Sequence, residues 1–284
     1  MIDCEQQKES EFLQGAYDLH IHTGPDVIPR KLTDSQAVEQ AKRQGMAGIT
    51  LKSHVSSTAG RAASMNERYP DFRTVSGLVL NRQVGGLNPY AVEAFGKMNG
   101  DIVWMPTMDA ENFRTFKGFS DGITILTPEG EIKSEVIEIL ELIKKYDLVL
   151  ASGHLSPDET VILMDKAAET GIRKLWITHI THPACSLSIE QQRHCAELGA
   201  MIEHSCGHII EGQSTFEKSL REIRAVGAEH IILSSDTGQV KFPYPTIAFS
   251  WYLEELHREG ITKEEICQMV HMNPETLLKK ERRV

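Results

Sequence analysis

Eight short apolar or β-branched runs, each closed by a polar residue, recur along the whole 284-residue chain. They lie at 16–22, 47–52, 73–80, 101–106, 147–152, 174–180, 200–204 and 229–235. The polar residues that close them fall near 22, 52, 81, 109, 154, 179, 204 and 236, at gaps of 30, 29, 28, 45, 25, 25 and 32 residues. A gap near thirty is the length of one strand, one helix and their two loops. Helical spacing of apolar residues fills 34–44, 134–145, 158–170 and 215–226. Gly45, Gly171, Gly199 and Gly227 stand where helix C-caps are expected. Eight such units in a chain of this size predict an α/β protein of the (β/α)8 TIM-barrel type. An open doubly wound sheet would carry a GxGxxG turn; the Gly85-Gly86 pair after the third run lacks that spacing. No linker or composition shift divides the chain, so a single domain over 1–284 is expected, with a polar N-terminal extension (1–15) and C-terminal helices (245–284). The longest gap contains GFSDGITILTPEGE and reads as a β-hairpin inserted before a helix. Asn88 and Pro89 read as N-cap and N1 of another helix, whose N–H groups can help bind an anion.

Charge and composition narrow the function. The chain has 40 Asp+Glu against 30 Lys+Arg, a net charge of −10. That balance argues against nucleic-acid or anionic-membrane partners, which need clustered positive charge. No apolar stretch approaches the roughly 20 residues of a membrane span, and the start, MIDCEQQKESEFLQ, lacks a signal-peptide core. Cys4, Cys185, Cys195, Cys206 and Cys267 are scattered, with no CxxC pair. A reducing, cytoplasmic location is expected.

The 12 histidines carry the chemistry. In a barrel of this kind the site forms at the C-terminal strand ends. Here those ends read DLHIHTGPD, LKSH, LNRQ, PTMD, SGHLS, THITHP, EHSCGH and SSDTGQ. His20 and His22 are two apart on a strand, so both imidazoles face the same side. Imidazole is a common ligand for zinc and similar metals. His154 and His179 end the fifth and sixth runs. Asp236 ends the eighth, where a carboxylate can bind metal and act as general base toward an activated water. His182 rivals His179 as the ligand of the sixth run, but His179 matches the depth of the others; His182 is then expected to face substrate.

This order, HxH, His, His and Asp on strands 1, 5, 6 and 8, resembles the amidohydrolase superfamily of metal-dependent hydrolases, and the resemblance extends to the closing NPETLL at 273–278. Within that superfamily the runs LKSH, VLNRQVGGLNPYAV, WMPTMDA and SSDTGQ are similar to an uncharacterised amidohydrolase-like family of unassigned function. The resemblance implies that His20, His22, His154, His179 and Asp236 are metal ligands and that Asp236 moves the proton from the attacking water to the leaving group. Many members supply a bridging carboxylated Lys or a Glu from strand 4. Here that strand ends in Pro106-Thr107-Met108-Asp109, and Lys52 ends strand 2 instead. A lysine at the tip of an apolar strand is costly to bury unless paired or modified. Carboxylated Lys52 bridging two metals, and an Lys52 ammonium holding an anionic group, both fit. If neither Lys52 nor Asp109 bridges, the site is mononuclear.

The expected reaction is hydrolysis of an amide, ester, lactone or phosphoester by a metal-activated water, with one or two divalent ions. Zinc is the first expectation, and Mn2+, Fe2+ or Ni2+ are compatible with the same donors. Arg30, Arg61 and Arg82 cluster beside the strand ends and point to a small anionic substrate, because a guanidinium grips carboxylate or phosphate with a planar fork. His54, and His204 with the preceding Glu203, are expected to line the pocket. His194, His230, His257 and His271 read as surface residues. The competing readings are a metal-dependent decarboxylase or other lyase, a phosphoesterase, and a non-enzymatic metal- or ligand-binding barrel. A homo-oligomer is the expected assembly.

Overall fold

A computed structural model describes residues 10–280. Positions 1–9, which hold Cys4 and most of the polar extension, and 281–284 lie outside the described residues. The eight runs form β1 (Tyr17–His22), β2 (Gly48–Lys52), β3 (Arg73–Val79), β4 (Ile102–Trp104), β5 (Val149–Ala151), β6 (Leu175–Ile177), β7 (Met201–Ser205) and β8 (Ile231–Ser234). Sequence neighbours are sheet neighbours throughout, and every ladder is parallel. β8 returns to β1 through a bridge between Ile21 and Thr237, with Asp236 N–H donating to His20 O at 2.9 Å and His22 N–H to Thr237 O at 2.9 Å. The chain is a single-domain (β/α)8 TIM barrel.

Helices cover the outside: α1 (Asp34–Arg43), α2 (Ala59–Arg68), α3 (Pro89–Lys97), α4 (Glu111–Phe116), α5 (Ser134–Lys145), α6 (Pro157–Thr170), α7 (Ile189–Glu197), α8 (Gly207–Ile210), α9 (Phe216–Val226), α10 (Pro245–Arg258), α11 (Lys263–Cys267) and α12 (Asn273–Leu278). Their starts follow from local chemistry. Thr33, Ser156, Ser188 and Thr262 each close a capping box with Gln36, Glu159, Gln191 and Glu265. Asn88 caps α3 with Pro89 behind it, as the sequence suggests. Each helix buries one stripe; on α5 it is Val136, Ile139, Leu140 and Ile143. The hairpin expected in the long fourth connection is reduced to one antiparallel bridge, Leu126 with Ile132, preceded by α4. Among the described residues no helix is long and apolar enough to cross a membrane.

β1 departs from simple alternation. Tyr17 and Asp18 pair with Gly48 and Ile49, but Ile21 and His22 pair with Leu51 and Lys52, so β1 carries one residue more than β2 in between. This β-bulge lets Leu19 and His20 both face the barrel interior. Leu19 joins a core with Val75, Val79, Trp104, Ala151, Trp176 and Ile232. Leu277 and Leu278 of α12 complete that core, so the C-terminal helix packs on the barrel's floor. The Asp18 carboxylate pins the bulge by accepting from His20 N–H at 3.2 Å and Ser235 N–H at 3.0 Å. Two glycines permit close approach at the opposite rim. Gly153 has φ +67°, and a Cβ there would lie 2.3 Å from Met105 O. Gly238 has φ +117°, and a Cβ there would lie 1.9 Å from His22 O.

Gly238→Ala is therefore expected to destabilise the protein by roughly 2–4 kcal/mol, combining left-handed strain with overlap. Gly130→Ala is the control, since Gly130 has φ +86° but nothing within 4 Å of its Cβ; strain alone costs it about 1 kcal/mol. Urea denaturation of both variants measures the difference. Equal losses would show that close approach of the β8 loop to β1 is not a constraint.

Candidate metal centre

The alternation of strands and the β1 bulge bring His20, His22, Lys52, His179, Glu203 and Asp236 into the barrel mouth, all of them buried. His20 Nε2 lies 3.1 Å and His22 Nε2 3.3 Å from Asp236 Oδ1. On the other side of the mouth, His154 and His179 meet edge to face with ring centres 4.2 Å apart. Lys52 Nζ sits between the halves, 2.7 Å from His20 Nε2 and 3.2 Å from His179 Nε2. Beneath them the Trp104 and Trp176 rings lie 6.3 and 6.4 Å from the His20 ring and close the barrel from below.

The hydrogen bonds set which nitrogens are free. His20 Nδ1 faces Glu203 Oε1 at 2.7 Å, and His179 Nδ1 faces Gly153 O at 3.1 Å. Carboxylate and carbonyl oxygens only accept, so both Nδ1 atoms carry the proton and both Nε2 atoms present lone pairs to the cavity. Glu203 also accepts from Ser234 Oγ–H at 2.6 Å and His179 N–H at 2.8 Å, so one buried carboxylate orients two histidines. Burial pushes His22 down to about 3 and His54, His154 and His179 well below the usual histidine range. Burial also lowers Lys52 to about 8, against the pull of Asp236 and Glu203. Asp236 is buried too, which raises a carboxyl, but its contacts with His20 and the hydrogen bond from His22 outweigh this and hold it well below the usual range. His179 (φ +63°) and Asp236 (φ +49°) are left-handed non-glycine residues. Such strain concentrates where a side chain must be aimed.

The other sequence candidates divide. His54, His182 and His208 join His22, His154, His179 and Asp236 around a cavity of about 250 Å³. His54 stacks on His22 at 4.7 Å and is fixed by Thr107 Oγ1 at 2.8 Å. His182 stands higher, its Nδ1 accepting from Ala184 N–H, which leaves His179 as the deeper residue of β6. His204 is not brought into the cavity. It points outward to Ser219 Oγ at 2.8 Å, because the alternation that turns Glu203 inward turns it toward α9. The three arginines lie outside the cavity lining, each on an aspartate: Arg30 on Asp26 at 2.8 Å, Arg61 on Asp34 at 2.6 Å, and Arg82 on Asp121 at 2.8 Å. Asp109 accepts from Arg82 N–H at 2.9 Å. Two residues are more prominent than the sequence suggested. Glu203 is the central orienting carboxylate. His208 faces Asp236 Oδ2 at 3.5 Å while Thr181 Oγ1 holds its Nδ1 at 2.9 Å. A histidine five residues past a strand-end glutamate carries no spacing signal, and only the turn into α8 brings it back.

These residues fit a divalent cation. His20, His22 and Asp236 offer ligand atoms all within 4.8 Å of one another, as do His20, His179 and Glu203. A cation lying between His20 Nε2 and Asp236 Oδ1, which are 3.1 Å apart, would be shared by both. The buried Nδ1 atoms of His22 and His154 also lack hydrogen-bond partners.

A family model described as a family of unknown function (DUF6282) matches residues 15–203. No curated protein matches. Among solved structures, the chain is similar to an amidohydrolase from Pseudomonas aeruginosa at TM-score 0.67 and 12% identity, covering 94% of this chain and 97% of that one. It is similar to a TatD homolog from Escherichia coli at TM-score 0.63 and 16% identity, covering 94% and 98%. An organophosphorus hydrolase from Deinococcus radiodurans follows at TM-score 0.59 and 13% identity, covering 93% and 92%. At these identities the likeness concerns the barrel.

Neutral buried histidines make the metal-free protein acid-sensitive. His22, His54, His154, His179, His182, His204 and His208 all have folded values below the unfolded 6.5. The unfolded chain therefore takes up protons first, and stability present above pH 6.5 is lost as pH falls toward the folded values. Asp18, raised by burial to about 7, acts in the opposite sense but is one group against seven. In chelator-treated protein Tm should fall continuously from pH 6.5 to 4. A flat profile would contradict the buried neutral cluster.

Proposed function

The chain belongs to the family of unknown function (DUF6282), and from its site we propose that it is a metal-dependent hydrolase acting on a small substrate through an activated water. The observation that carries this reading is the convergence of the His20 and His22 Nε2 atoms on Asp236 Oδ1 at 3.1 and 3.3 Å, in a pocket where burial keeps imidazoles neutral. His20, His22 and Asp236 would hold one cation. His154 and His179 flank a second position beside Lys52. A divalent cation supplies hydroxide near neutral pH and a Lewis acid for the scissile carbonyl or phosphoryl group. Zinc suits this donor set, and manganese, iron and nickel are compatible with it.

The chain's own groups have distinct tasks. Glu203 fixes the tautomer and tilt of His20. Asp236 uses Oδ1 toward His20 and His22, which leaves Oδ2 to take the proton from the attacking water and return it to the leaving group. His208 borders that oxygen at 3.5 Å. Lys52 decides the capacity of the site. As an ammonium it spends donors on His20 and His179 and leaves room for one cation; as a carbamate it would reach both half-sites. The names of the similar barrels, amidohydrolase and organophosphorus hydrolase, favour hydrolysis over carbon–carbon cleavage. A cavity of about 250 Å³ is below the range of drug-sized pockets, and so favours a small substrate.

Zinc- and manganese-loaded protein incubated with esters, lactones, amides and phosphotriesters in 18O-labelled water should place one label in a product. Asp236→Asn should lower kcat by about 10²–10⁴-fold, the share of a general base. Carbon dioxide release without label would replace the reading with a lyase, and turnover unchanged in Asp236→Asn would remove the base. Intact mass separates the two states of Lys52: a gain of one carbon dioxide, lost in Lys52→Arg, should accompany two metal equivalents and be absent with one.

A further inference from the structure

The cations around the barrel mouth are mostly neutralised by carboxylates of their own. Arg30 is held by Asp26, Arg61 by Asp34, Arg82 and Arg114 by Asp121, and Lys241 by Glu211. Lys117 differs. It lines the cavity and, among the described residues, has no carboxylate partner. Its ammonium rests over two phenyl rings, 5.4 Å from the centre of Phe113 and 5.7 Å from that of Phe116. Phe113 in turn packs on the metal-centre histidine His154 at 4.6 Å and on His182 at 5.4 Å. The side chains come from one segment, because positions 113, 116 and 117 share a face of α4 and its end. Met108, Phe116 and Phe119 of the same excursion remain exposed at 40%, 51% and 53%, an apolar wall rising from the cavity.

Resting on the hydrolase reading above, we propose that Lys117 is a specificity-determining residue that selects substrates bearing a carboxylate, set apart from the scissile bond by an apolar spacer about the width of one phenyl ring. The Phe113 ring is the ruler: it separates the ammonium from the His154 half-site and offers the spacer an apolar face. A single ammonium is a point charge. A phosphate would be better served by a free guanidinium fork, and the nearby arginines have theirs committed to aspartates. On a chain of net charge −10, an unneutralised cation at the mouth also draws anions toward it. Lys117 pushes His182 further down, after burial and His208, which places its field inside the cavity.

Benzoate and benzamide, matched in shape and different in charge, test this by titration calorimetry on chelator-treated protein, so that no metal contributes to binding. Benzoate should bind at least about tenfold tighter than benzamide, equivalent to about 1.4 kcal/mol. Lys117→Ala should bring the two together, Lys117→Arg should restore most of the preference, and added salt should erode it. Lys117 is exposed, and circular dichroism checks that the variants fold. Absence of benzoate binding, equal binding of the two probes, or a preference unchanged in Lys117→Ala overturns the proposal. A parallel zinc titration keeps the two readings apart. No zinc uptake with the preference intact removes the hydrolase and leaves the carboxylate site, whereas zinc uptake without the preference does the reverse.

Discussion

The hydrogen bond from the Asp236 amide to the His20 carbonyl, 2.9 Å long, joins the last strand end to the first. It is part of a short seam, with His22 N–H on Thr237 O and the Asp18 carboxylate on Ser235 N–H, that closes the barrel where no longer ladder does. Residues more than 200 positions apart are thereby fixed within 3.3 Å of one another. Loop closure over such a span is entropically costly, and the packed barrel repays it through burial. The same seam carries the candidate metal ligands His20, His22 and Asp236. The bulge that resets β1 and the left-handed turn at Asp236 are what closing the barrel with ligands facing inward requires.

Around that seam the physics is one of paired frustration. Nε2 lone pairs and carboxylate oxygens are packed together in a buried pocket, above a floor of two indoles whose Nε1–H groups have no partner among the described residues. Desolvation favours the neutral imidazole, and neutral imidazole is what a cation binds. Lys52 partly relieves the crowding by donating to two of the lone pairs. On the hydrolase reading it both stabilises the metal-free barrel and competes with the cation.

Much of this was legible in the sequence because barrel strands announce themselves by apolar runs and their mouths by the polar residue that ends each run. His20, His22, His154, His179 and Asp236 sit at the strand ends where that rule places them, and Lys52 is conspicuous as a charge on an apolar strand. Failures arose where a side chain's direction depends on its partners. Arg61 looked available on a loop, yet Asp34, 27 residues earlier, captures it with two hydrogen bonds. His204 and Glu203 are adjacent, and strand alternation sends only the glutamate inward. His208 returns to Asp236 by a turn that leaves no periodic trace, and the β1 bulge has no signature beyond its register. Lys117 gives no sequence signal, because an exposed lysine is ordinary until its neighbours' charges are counted.

The central claim is that the first and last strand ends together form a cation site. Zinc-soaked crystals measured at the zinc absorption edge test it most directly. The account predicts an anomalous peak inside the barrel mouth, about 2.0–2.1 Å from the Nε2 atoms of His20 and His22 and in contact with Asp236. A mouth without a peak, with zinc only on surface groups such as the exposed His194 and Cys267, would contradict it.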